Sequence, residues 1–182
     1  MIGHTHRRLR RATRAQHERL EARVDIFRRI RTRAGRRRLV QDFHDLHVAA
    51  EAGLASWLAD LPGLDFDARR RAPRIAQDLA VLGGAPRAAE PILVASVSEA
   101  LGVLYVLEGS TLGGHVIRRR IEAEGGDMAG LSFLDPYGAS VGERWRAFLA
   151  VLDAAPDPDE VVAGAVAGFG HAERRLCEAE AV

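Results

Sequence analysis

Residues 104–117 read Leu-Tyr-Val-Leu-Glu-Gly-Ser-Thr-Leu-Gly-Gly-His-Val-Ile, apolar at helical spacing yet interrupted by Gly109, Gly113 and Gly114. Each interior glycine costs a helix about 1 kcal/mol relative to alanine, so this segment gives up about 3 kcal/mol. A helix that carries this cost needs its backbone bare on one side. Two occupants of the bare side are open. One is a flat or bulky ligand; the other is a second helix, which small residues four apart let approach closely.

The rest of the chain repeats the helical period, and alternating β-branched and aromatic runs do not occur. The spacing predicts a first helix over 5–30 with Leu9, Ala12, Thr13, Gln16, His17, Leu20 and Val24 on one face. A second, over 35–60, turns Leu39, Phe43, Leu46, His47, Ala50, Leu54 and Leu58 inward and stops at Leu61-Pro62-Gly63. A short helix spans 73–82, and the glycine-bearing helix runs from 98 to 124, where Gly125-Gly126 ends it. Ser140 with Glu143 three residues later fits a capping box for a helix through 152. Asp157 or Asp159 caps a last helix that continues to the C-terminus. The expectation is an all-α fold, a single domain over 1–182, since no internal repeat or long linker divides the chain.

Composition narrows the class. No apolar run approaches the roughly 20 residues of a membrane span, and the start of the chain lacks the apolar core of a secretory signal. Cys177 is the only cysteine, which fits a reducing cytoplasm. The net charge of +1 conceals an asymmetry: residues 1–40 hold 14 arginines against Glu18, Glu21 and Asp25. A basic segment of this kind serves nucleic acid, an anionic ligand, an acidic protein partner, or only solvent and the acidic remainder of the chain.

Among groups that carry chemistry, His17 lies one helical turn before Glu21. A ligating imidazole commonly donates its other N–H to a carboxylate, and the i, i+4 spacing allows it. A satisfied core histidine is the alternative. His44, His47 and Glu51 form a second stripe, but the Glu-x-x-His pairs of di-iron bundles are missing, so no metal centre is expected there. His4 and His6 fall in a terminus expected to fray, and His115 and His171 lie on helices without evident partners. Walker, dinucleotide and nucleophile-elbow motifs are lacking.

Residues 9–17, followed by Glu18-Arg19-Leu20-Glu21, resemble the proximal helix of haem oxygenases. Residues 105–114 resemble their distal helix. Tyr137-Gly138, Val141-Gly142-Glu143-Arg144-Trp145 and Phe148 resemble the following segment of the bacterial members found with bacteriophytochromes. Order and spacing agree over residues 7–176. The resemblance implies a haem oxygenase-like helical fold in which haem, substrate and cofactor at once, lies between those two helices. His17 would ligate the haem iron and Glu21 would orient it. Gly109, Ser110 and Gly113 would form the distal face, leaving room for dioxygen and steering it to the macrocycle edge. Arg10, Arg120 and Arg146 would hold the propionates, and Phe169 would pack on the pocket. Ser110 stands where many members carry an aspartate, so the proton route must run through water, backbone or another residue, with Tyr105 a candidate. His115 is expected to point away from the haem.

The implied activity is cleavage of haem to biliverdin, ferrous iron and carbon monoxide. Electrons would come from an external donor, a ferredoxin or a flavoprotein reductase, docked on the basic first helix. A bacteriophytochrome would be the acceptor of the bilin; neither a nucleic acid nor a membrane is an expected partner. The rival readings are a haem carrier or sensor on the same fold, which keeps His17 without turnover, and a basic helical nucleic-acid binder.

Overall fold

The computed structural model describes residues 3–177, and among them no strand occurs. Seven α-helices follow one another: α1 (His4–Val24), α2 (Ile26–Arg29), α3 (Arg33–Leu58), α4 (Ala72–Val81), α5 (Val97–Ala123), α6 (Val141–Asp153) and α7 (Pro158–Cys177). Short 3-10 turns at Asp67–Arg69, Ser132–Leu134 and Gly138–Ser140 lie between them. The last few residues of the expected C-terminal helix lie outside the described residues.

The first expected helix is two. Asp25 takes a left-handed conformation (φ 38°) that ends α1, and its carboxylate accepts the Arg28 N–H at 3.2 Å to start α2. Nothing in the periodicity marks this break, because Ile26 and Ile30 continue the apolar spacing. The other helices lie within a few residues of expectation. Thr32 caps α3, which begins two residues before the expected start, its hydroxyl accepting from the Gly35 N–H.

The capping box at Ser140 does not form: the 3-10 turn runs straight into α6, Ser140 is itself helical, and its side chain caps nothing. The equivalent device starts α5. Ser96 is extended, its hydroxyl accepts from the Glu99 N–H at 3.1 Å, and Glu99 accepts from the Ala95 N–H at 2.6 Å. At the head of α7 it is Asp157 that caps, accepting from the Asp159 and Glu160 N–H groups.

The α7 helix is the spine, with α5 and α1 both packed along it and α3 behind. Small residues bring α5 and α7 close: a Cβ at Gly102 would collide with the Val161 carbonyl, and one at Gly164 with the Glu99 carbonyl. One apolar cluster joins Leu9 of α1, Leu39 and Leu54 of α3, Leu101 and Leu104 of α5, Phe148 of α6 and Ala165 of α7. Alone of the helices, α5 is long and apolar enough to cross a membrane among the described residues, against the expectation of no such segment. Yet 61% of its most apolar window is buried inside the protein, so its apolarity is spent on neighbouring helices. Beside it, buried Arg69 and Glu108 pair at 2.7 Å, and the Tyr137 hydroxyl donates to Glu108 at 2.9 Å. This buried network fixes the centre of α5 from the side.

Candidate functional site

A cavity of about 810 Å³ separates α1 from α5. That is the size of pocket that encloses a ligand of several rings. Of the expected site residues, His17, Glu21 and Arg10 of α1, Gly109, Ser110 and Gly113 of α5, and Phe169 of α7 all line it. One wall is His17, whose Nδ1 is 3.5 Å from Glu21 Oε2 and whose ring meets Phe169 edge-on at 6.0 Å. With Nδ1 beside the carboxylate, Nε2 is the nitrogen left for a ligand.

The opposite wall settles what the glycines of α5 face. A Cβ built at Gly109 or Gly113 has no atom within 4 Å, whereas one at Gly114 would strike the Leu134 carbonyl. Close packing therefore belongs to Gly102 and Gly114, and Gly109 and Gly113 present bare backbone to the cavity. The cradle suits a flat macrocycle, with a ring nitrogen of His17 on one side and room on the other.

The structure places neither Arg120 nor Arg146 on the wall. Arg120 pairs with Glu124 at 2.9 Å and lies 4.1 Å over the ring of Phe27, which does line the cavity. Arg146 is exposed on α6. As expected, His115 is turned away, its Nδ1 3.1 Å from buried Asp135. Burial pushes the Asp135 carboxyl up, but Arg118 and His115 outweigh it and hold it below its ordinary value.

Three lining groups escaped the sequence reading of the site. Arg71, buried between α4 and α5, donates to the Ser110 hydroxyl at 3.2 Å and to the Leu107 carbonyl. No pattern distinguishes it from the chain's other arginines. The sequence marked His47 as an inward residue of α3 and as part of a metal stripe, and among the described residues no group of three or more metal-binding side chains forms. Its Nδ1 instead lies 3.0 Å from Glu51 Oε1, and Glu51 caps α4 by accepting from the Arg71 and Ala72 N–H groups at 2.7 and 3.1 Å. Burial, then the Arg71 charge, push His47 down to about 4, so the ring is neutral at pH 7. Burial raises Glu51, but His47 and the two backbone donors bring it below its ordinary value and keep it ionised. The third is His6. Far from fraying, it sits in α1 at 7% exposure, against Tyr105 and Trp145.

The comparisons with known proteins decide the family. The chain is 38% identical over 138 residues, covering 70% of its length and 80% of the relative's, to a haem oxygenase of Xanthomonas campestris pv. campestris. The chain belongs to the haem oxygenase family. Its fold matches that of the Neisseria meningitidis haem oxygenase solved with NO and with CO bound, at TM-score 0.73 and 22% identity, over all of this chain and 96% of that one. No family model matches the sequence.

Proposed function

We propose that this member of the haem oxygenase family cleaves haem with dioxygen and external electrons to biliverdin, ferrous iron and carbon monoxide. The observation that carries the reading is the pair of facing walls: a histidine with its orienting carboxylate on α1, and two glycines with empty space before them on α5. The haem, when bound, supplies the redox chemistry of its own oxidation. The chain supplies the rest. His17 would hold the haem iron through its ring nitrogen, and Glu21 would hold the ring's orientation. Gly109 and Gly113 allow the macrocycle to lie against the helix, and the apolar wall excludes water. Arg10, on the cavity wall, offers the cationic anchor for a carboxylate at the macrocycle edge.

The proton route no longer needs a carboxylate at Ser110. That hydroxyl donates to the Leu107 carbonyl at 2.7 Å and accepts from Arg71. The negative charge lies one residue deeper, at Glu51, in contact with cavity-lining His47. Nδ1 of neutral His47 donates to Glu51, which leaves Nε2 as a hydrogen-bond acceptor. The electron donor is an external ferredoxin or flavoprotein reductase, and the exposed arginines of α1 suit an acidic one. The similarity of residues 137–148 to members found beside bacteriophytochromes supports such a photoreceptor as bilin acceptor, in the cytoplasm.

Titration with haemin, followed by reductant in air and chromatography of the pigment, tests the reading. Biliverdin is expected, and His17→Ala should lose it together with the wild-type Soret band. Haem bound, reduced in air and left intact would make the chain a carrier; an unchanged spectrum in the mutant would remove His17 as ligand.

A further inference from the structure

At the end of the cavity formed by the first turns of α1, four side chains capable of donating hydrogen bonds converge: His6, Arg10, Tyr105 and Trp145. His6 meets the Tyr105 ring edge-on at 5.9 Å and the Trp145 ring at 5.7 Å. His6 Nδ1 is buried without a hydrogen-bond partner, and no hydrogen bond joins the side chains of Arg10, Tyr105 or Trp145 to another described residue. A buried polar atom left unpaired costs about 1–3 kcal/mol, so its persistence at a binding cavity calls for a reason. The cluster offers donors from three helices and one full positive charge, and none of the four side chains is an anion.

We infer that this end of the cavity is a proton-linked carboxylate receptor, in which His6 takes up a proton as it and Arg10 close on a carboxylate of the bound porphyrin. The inference rests on the haem reading above and adds a residue and a proton to it.

The charges facing His6 set the sign. Burial lowers its pKa, and Arg10 on the same helix lowers it further; Asp153 of α6, whose carboxylate accepts the His6 backbone N–H at 3.4 Å, opposes them. Tyr105 of α5 is neutral, its own pKa raised by burial although Arg10 lowers it. The ring is thus neutral at pH 7 in the free protein. An anion against it favours the charged form, so the pKa rises on binding. Affinity is then greatest at low pH and falls as pH rises through the value of the bound state, with a limiting slope of about one decade per pH unit for one proton.

The test uses protoporphyrin IX, which lacks iron and so removes ligation by His17 from the pH profile, alongside its dimethyl ester. Affinities are read by tryptophan quenching from pH 5.5 to 8.5. The wild type should bind the diacid with an affinity that falls with pH at a slope approaching about tenfold per unit. His6→Phe should bind it weakly and without that slope. His6→Asn, which keeps a donor but no titration, should bind with intermediate affinity and the same flat profile. The ester should bind all three proteins alike. Melting curves of the free variants verify that each is folded. A wild-type slope retained in His6→Phe, or the same His6-dependent slope with the ester, overturns the inference while leaving the haem reading intact. Failure of the wild type to bind either porphyrin overturns both.

Discussion

Gly109 and Gly114 are five residues apart on one helix and opposite in what they allow. Before Gly109 there is nothing; behind Gly114 is the Leu134 backbone. Gly109→Ala should therefore leave the free protein as stable or more so, by up to about 1 kcal/mol, since alanine is the better helix former. The same methyl should obstruct the cavity and lower haem turnover severalfold. Gly114→Ala should instead cost about 1–3 kcal/mol by overpacking. Melting temperature and biliverdin yield, measured on the same samples, separate the two; equal destabilisation would mean both glycines serve packing. The sequence could show that this helix wanted a bare side but not which glycine faced what, because that depends on where the 132–134 turn lies. His17 and Glu21 were legible because their relation is local, one turn apart. Arg71 and His47 acquire meaning only through Glu51, which joins α3 to the head of α4, and no local pattern carries that.

At the scale of elements, two Ser-x-x-Glu sequences make the same point about helix starts. Ser96 precedes its helix in extended conformation and caps it; Ser140 ends a 3-10 turn and is itself helical, and its hydroxyl caps no N–H. Ser96→Ala should cost about 1 kcal/mol of stability and Ser140→Ala close to nothing, by denaturant midpoints of the two variants. Reversal of that order would mean α6 depends on its serine after all. The inward face was legible in full for α3, where every expected inward residue is buried, but only in part for α1, where Leu9, Thr13 and Val24 are buried and Ala12 and His17 are exposed. The break at Asp25 was not, because a single left-handed residue leaves the apolar period intact on both sides of it.

Across the whole molecule, buried imidazoles set the acid limit. His47 is pushed down to about 4 by burial and Arg71, and His171 to about 4 by burial and the neighbouring Arg175 and Arg174. An unfolded histidine titrates near 6.5, so below that pH the unfolded chain binds more protons than the folded one. Stability is complete above about pH 6.5 and is lost as pH falls toward about 4. Urea midpoints across pH 4–8 should show this decline, and His47→Gln and His171→Gln should each flatten it; a midpoint constant over that range would mean both rings charge freely in the folded state. The same molecule-wide view bears on the break after α1. Besides the contact of His6 with Tyr105, α1 and α5 are joined through α7 and α6, and the far end of the cavity is spanned by Phe27 of α2 beneath Arg120 of α5. An exposed cation–π contact is worth about 0.5–1 kcal/mol, close to thermal energy. The turn at Asp25 thus leaves one end of the cavity closed by a single exposed contact, while the rest of its wall is held by packed helices.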